Sequence, residues 1–257
     1  MLKYEVSDGV AWITLNRPEK RNALNKELRA GLLQALREAE NDSRVKVVVL
    51  RGAGGNFCSG ADLEEMARMT GLEIRAYHKD YGTQRITAYI QEMSKIVVAE
   101  VDGYCLGGGC ELMLGCDIVV ASRRAVFGQP EIRVGLTPGG GATQRLPRLV
   151  GFRRAKEIML TGRLVSAEEA EMIGLVNYVV EPEKLEEKTS ELVAELKTKS
   201  LPILSLIKKA VNASLETTLS AGLEMEKEIH YFTWHTEDRR EGVTAFLEKR
   251  KPEFRDR

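Results

Sequence analysis

Apolar residues along this chain fall into two alternating patterns. VAWITLN (10–16) and VKVVVLRG (45–52) are β-branched runs of strand length. The second is apolar almost throughout, which predicts a strand covered on both faces. Between them, NKELRAGLLQALREAEND sets Leu28, Leu32, Ala35, Leu36 and Ala39 on one helical stripe behind Asn25, a candidate N-cap. The chain therefore opens as β-α-β. KIVVAEVDG (95–103), which enters a run of glycines, CDIVVAS (116–122) and GLVNYVVE (174–181) repeat the strand pattern. The helix before the last of these starts with SAEE, Ser166 to Glu169, as a capping box and stops at Gly174. This alternation predicts α/β architecture.

From about Pro182 the strand pattern ends. Leucines and their kin recur at helical spacing from Leu185, Leu192 and Leu196 to Ile207, Val211 and Leu215. Such a layer is too thin for a core of its own, so it must pack on the α/β body or on another subunit. The expected division is an α/β domain at 1–195 and a helical region at 196–257.

Composition excludes more than it selects. The 38 basic and 38 acidic residues cancel, so no overall field draws the chain to nucleic acid or an anionic membrane. An RNA-binding module built on Lys197, Lys199, Lys208 and Lys209 is a remote alternative, and nucleic acid is not expected as a partner. Cys58, Cys105, Cys110 and Cys116 make no C-x-x-C pair and are expected to be reduced thiols. His78, His230 and His235 make no H-E-x-x-H, so no metal is expected. The start, MLKYEVSDGV, has no signal-peptide core, and no apolar run approaches the ~20 residues of a membrane span. A cytoplasmic protein without membrane partners is the expectation.

Candidate chemistry lies in three glycine-rich stretches. GYCLGGGCELMLGCD (103–117) carries three glycines between a strand and an apolar helix, with Glu111 at the head of the helix. Glycines there permit positive φ and leave N–H groups open to a ligand, although close strand–helix packing demands small residues too. GAGGNFCSGADLEEM (52–66) repeats the arrangement, and two such turns from neighbouring strands can aim two amides at one oxygen. FGQPEIRVGLTPGGGATQRL (127–146) reads as a long loop with Glu131 among apolar neighbours, a setting that raises proton affinity. A turn after the intervening strand can return Glu131 toward Glu111. Neither G-x-G-x-x-G after the first strand nor a P-loop is present.

Taken with ITLNRPEKRNALN, MLTGRLVSAEEAEMIGLVN and EDRREGVTAFLEKRKPEF, these stretches resemble the enoyl-CoA hydratase/isomerase, or crotonase, superfamily, in order from residue 12 to 254. The resemblance implies an α/β fold, a spiral of β-β-α turns, with a helical carboxyl-terminal region that makes homotrimers or homohexamers. It implies oxyanion-hole amides at Ala61 and Gly108 and the hydratase carboxylates at Glu111 and Glu131. Substrate contacts follow at Arg21, Ala23, Leu24, Gly60, Asp62, Leu63, Gly107, Pro130 and Gly139, with Phe246 and Lys249 approaching coenzyme A from the tail. No separate cofactor is implied, because coenzyme A is part of an acyl-CoA thioester substrate. Ala142, where glycine is frequent, departs from the pattern.

The implied activity is enoyl-CoA hydration, giving a 3-hydroxyacyl-CoA. An isomerase, which needs only one base, is the main alternative. A serine hydrolase is disfavoured because Ser59 lies outside any G-x-S-x-G. Met66, Met69, Tyr77 and Tyr81 either line an acyl pocket or belong to the core.

Overall fold

The computed structural model describes residues 1–257. Strand β1 (Leu2–Ser7) pairs antiparallel with β2 (Val10–Leu15). It was not among the expected strands, although LKYEVS alternates apolar and polar residues and its burial alternates with them. Helix α1 (Lys26–Asn41) follows, capped as expected by Asn25, whose side chain accepts from the Leu28 N–H. It leads to β3 (Val47–Gly52).

The chain then runs through the short helix α2 (Leu63–Met66), α3 (Gly71–Tyr81) and α4 (Thr83–Glu92) before β4 (Ile96–Val101). Here the structure departs from the expectation that one strand enters the glycines directly. Asp102 ends β4: its carboxylate accepts from Ser122 Oγ and Arg124 Nε, both at 2.6 Å. The chain turns into a separate strand, β5 (Tyr104–Leu106), before α5 (Gly108–Leu114).

The same β-β-α turn repeats in β6 (Ile118–Ser122), β7 (Val126–Gly128) and α6 (Ala142–Val150). The expected loop at 127–146 therefore contains the end of a strand, a 3-10 helix at Pro130–Val134 and the start of α6. Next come α7 (Phe152–Thr161), β8 (Leu164–Ser166), α8 (Ala167–Met172) and β9 (Tyr178–Val180). The capping box of α8 is half made. Ser166 Oγ accepts from the Glu169 N–H, but the Glu169 carboxylate pairs with Arg163 at 2.6 Å instead of turning back.

The strands form a six-stranded sheet, β1-β2-β3-β4-β6-β9, parallel from β2 onward, and a three-stranded sheet, β5-β7-β8. β3 shows why its sequence is apolar throughout. Val48 and Leu50 enter the main core with Leu28, Leu32 and Leu36 of α1, while Val47 and Val49 face a smaller cluster on the opposite side. Each such side chain contributes roughly 1.5–3 kcal/mol when fully buried.

At that smaller cluster the tail takes the first of the two packings open to it, against the α/β body. Helix α9 (Leu185–Lys197) covers it with Leu185 and Val193, and Leu192 and Leu196 pack against it. The expected boundary at 195/196 falls inside the last turn of this helix. Apolar exposure begins instead on α10 (Leu201–Ala213), α11 (Leu219–Thr233) and α12 (Glu237–Leu247). Ile207, Val211, Leu219 and Phe246 are all more than half exposed, and α11 buries no residue. One buried cation ties this layer to the body: Lys208 Nζ donates to Ile90 O, Lys95 O and Asp117 Oδ2 at 2.7–2.9 Å. No helix is long and apolar enough to cross a membrane.

Candidate active site

Asn22 sets the first wall of the site. It is fully buried with φ of 57°, and its Nδ2 donates to Ala53 O and Asn56 O, at 2.9 and 2.7 Å. The RPEKRNAL segment is thereby tied to the glycine loop after β3. Leu24 N–H donates to Gly60 O and Asp62 N–H to Leu24 O, a strand-like bridge that turns the intervening Ala61 N–H away from Leu24. Asn22 was not expected from the sequence, where an Asn in a turn reads as solvated; its burial shows only in the fold.

The loop is also bonded to β5. Cys58 N–H donates to Tyr104 O at 2.8 Å and Leu106 N–H to Cys58 O at 3.0 Å. Residues 58–61 therefore run beside 105–108. A Cβ built on Gly108 would lie 3.6 Å from Ala61 N, and one on Gly60 would lie 3.6 Å from Gly108 N. Neither the Ala61 nor the Gly108 N–H has an acceptor within the protein. Both residues line one cavity, where two unbonded donors side by side can meet a single acceptor.

Glu111 projects from α5 and is 3% exposed. Its Oε1 accepts from Gly140 N–H at 2.6 Å and Ala142 N–H at 3.1 Å. Burial is the largest influence on its pKa and raises it, while those two amides, Arg29 and Arg145 pull the other way. Ala142, the departure from the family pattern, thus serves through its backbone. Its neighbour Gly140 has no such freedom, because a Cβ there would strike Glu111 Oε2 at 2.3 Å.

Glu131 sits in the 3-10 helix, with Oε2 buried and accepting nothing. Burial pushes its pKa up to about 7, and the charge of Glu111 adds to the rise. Its Oε1 lies 3.1 Å from where a Gly107 Cβ would stand. The chain thus returns the second acid to the glycine turn of the first.

One cavity of about 360 Å³ collects these groups: Gly60, Ala61, Gly107, Gly108, Glu111 and Glu131, with Leu63, Pro130 and Gly139 among the other expected residues. Its apolar wall includes Met66, Ile74, Val134 and Leu136. Met69, Tyr77 and Tyr81 do not line it. Tyr77 is instead buried against Arg29 and donates to Glu65 Oε2. Arg21, Ala23, Leu24 and Asp62 stand outside the lining, as do Phe246 and Lys249 on the tail. Asp62 caps α2 and pairs with Arg17 at 2.7 Å, so its carboxylate is engaged in structure. Arg29, His78 and Thr83 line the cavity without having been singled out. A larger cavity of about 460 Å³ around Asp117 and Lys208 contains neither free amide.

The enoyl-CoA hydratase/isomerase family model matches residues 5–257. The chain is 41% identical to the short-chain-enoyl-CoA hydratase of Clostridium acetobutylicum, over 96% of this chain and 95% of that protein. It is 42% identical to the mitochondrial enoyl-CoA hydratase of Pongo abelii, over 96% of this chain and 84% of that one. The crystal structure of an enoyl-CoA hydratase from Bacillus anthracis superposes with a TM-score of 0.95 at 37% identity, covering 100% and 99% of the two chains.

The raised pKa of Glu131 has a measurable consequence for stability. Its folded pKa, about 7, exceeds the ordinary 4.5, so between those values the folded state holds a proton that the unfolded chain has lost. Stability therefore falls as pH rises through this window, and the whole cost is present above 7. Glu131→Gln cannot ionise. It is expected to be more stable than wild type at pH 8 by about 1–2 kcal/mol, discounted for partial exposure, with the gap closing toward pH 4.5. Denaturant titrations at both pH values check this; a gap independent of pH would assign the gain to packing.

Proposed function

The chain belongs to the enoyl-CoA hydratase/isomerase family, and we propose that it adds water across the double bond of a trans-2-enoyl-CoA to give a 3-hydroxyacyl-CoA. The observation that carries this is one cavity holding two unbonded amides and two carboxyl groups, both with proton affinity raised by burial, of which Glu111 alone is anchored by backbone amides.

In the proposed reaction the thioester oxygen accepts from Ala61 N–H and Gly108 N–H. Both amides are fixed before substrate arrives, so charge moving onto that oxygen needs no reorganisation, and each such donor is worth ~3 kcal/mol of barrier. Glu111, its Oε1 anchored by two amides, holds a water and takes its proton as the oxygen bonds to the β-carbon. Glu131, protonated near neutrality, gives a proton to the α-carbon as the enolate collapses. One proton leaves water and one enters the substrate, so the pair returns to its starting state by passing the proton from Glu111 to Glu131. An isomerase needs only one of these acids; the specific seating of the second favours hydration.

Arg21, Ala23 and Leu24 fit contacts to coenzyme A along the loop that leads to Ala61. Phe246, 83% exposed, and Lys249 lie away from the cavity and fit the coenzyme A of a neighbouring subunit. A homotrimer or homohexamer would also cover the apolar faces of α10 to α12. Light scattering at micromolar concentration is expected to give three or six times the 28.7 kDa chain mass; an active monomer would refute the assembly.

Two sets of variants test the chemistry. A methyl on Gly108 meets only ordinary contacts, 3.4 Å from Leu24 Cδ1 and 3.5 Å from Thr83 Oγ1, yet it stands 3.6 Å from Ala61 N, beside the space for the thioester oxygen. Gly108→Ala is therefore expected to melt near wild type while losing turnover ~10²-fold or more. Parallel loss of both would make Gly108 a packing residue. Glu111→Gln and Glu131→Gln keep shape and acceptors but exchange no proton, so each should lower kcat by ~10² or more with binding little changed. Glu131→Gln should also slow deuterium exchange at the product α-carbon. Near-normal hydration by either variant would remove that residue from the mechanism and favour one-acid chemistry.

A further inference from the structure

The cavity also carries polarity that hydration does not use. Arg29, from α1, lines it at 3% exposure. Its Nε donates to Leu24 O at 3.1 Å, and its Nη1 donates to Thr83 Oγ1 at 2.6 Å and Tyr81 O at 3.4 Å, with the guanidinium 5.6 Å from the Tyr77 ring centre. Its Nη2 donates to nothing in the protein, and no Asp or Glu oxygen lies within the 4.0 Å of an ion pair. A buried cation held so firmly with no carboxylate in contact is costly to fold around. Glu111 senses the charge but has its Oε1 engaged by the amides of Gly140 and Ala142.

A second polar group stands in the same wall. His78 lies one helical turn after Ile74 on α3, both face the cavity, and neither imidazole nitrogen bonds to the protein. Burial first, then Arg29, keeps its pKa below the ordinary value, so the ring is neutral at pH 7 and offers one donor and one acceptor. Arg133 also lines the cavity, but it is exposed and water can solvate it. The corner where α1, α3 and α4 meet is thus polar beside the apolar wall of Met66, Val134 and Leu136. A hydrocarbon chain filling it would strip water from Arg29 and His78 and return no partner.

We propose that this corner selects an enoyl thioester whose acyl chain ends in a carboxylate, with Arg29 as its ion-pair partner and His78 as a hydrogen-bonding neighbour. The assignment rests on the hydratase reading for the nature of the thioester. Hydrogen-bonded pairing of a carboxylate with a buried guanidinium is strong and directional, whereas a methyl end leaves Nη2 empty.

The test uses the intact enzyme and matched pairs of trans-2-enoyl-CoA of four to six acyl carbons, ending in methyl or in carboxylate. The carboxylate-ended member is expected to have the higher kcat/KM, by about 30-fold or more at the best length, and Arg29→Met is expected to abolish that preference. A wild-type preference for methyl at every length would overturn the proposal, and so would a carboxylate preference that survives Arg29→Met. If no thioester is hydrated, the hydratase reading fails separately, and calorimetry with the saturated acyl-CoA pairs decides the corner. Tighter binding of the carboxylate-ended member supports it; equal or weaker binding overturns it. Both wild-type comparisons stand even if the variant does not fold.

Discussion

The site depends on two peptide N–H groups, those of Ala61 and Gly108, being held together without an acceptor. Ala61 is half-buried and Gly108 buried, and each forgoes a protein acceptor, so the surrounding bonds must hold the two amides in place. They do so from both sides. Asn22 and Leu24 fix the loop before Ala61, while Cys58 and Leu106 tie that loop to β5. The repeated β-β-α turn makes this registration possible, because β5 leaves the main sheet and carries the chain alongside the loop from β3.

The same enclosure separates two identical functional groups. Burial raises the proton affinity of both Glu111 and Glu131, but Glu111 has two amides and nearby arginines to favour its charge. Glu131 has an unpartnered buried oxygen and the charge of Glu111 against it. Once Glu111 ionises, repulsion holds the proton on Glu131 more firmly. Two copies of one residue type thus meet different influences on their protons, and the distinction lies in backbone geometry that no side-chain inventory records.

That is also where legibility in the sequence ended. β3, α1 and the two acids were visible because long apolar runs, a capped stripe and glutamates beside glycines are local signals. β5 and β7 are three residues each, too short for periodicity, and they lie where glycine or loop chemistry dominates the text. Arg29 sits directly after Leu28 on the buried stripe of α1, but charged residues are so commonly solvated that a pattern of apolar positions passes over it. The tail is divided in a way its spacing does not show. Its leucine spacing is continuous, yet α9 meets the valines of β3, β4 and β6 while α10 to α12 extend beyond the sheet. Periodicity reports a face, and only the fold reports what covers it.

The run Gly107 to Gly109 shows how one motif can satisfy competing explanations at once. Gly107 has φ of 50°, and its N–H donates to Gly128 O at 2.9 Å, so it makes the turn from the three-stranded sheet into α5. Gly108 has an ordinary helical place and no steric conflict; what it lacks is a side chain in front of Ala61 N. Gly109 is a packing glycine, since a Cβ there would meet Cys58 O at 2.3 Å and Cys58 Cβ at 2.6 Å. Close packing and an open amide are therefore not rival accounts of the motif. Gly109 lets α5 approach the loop closely enough for the amide of Gly108 to reach the space that Ala61 also faces, and the turn at Gly107 aims it there.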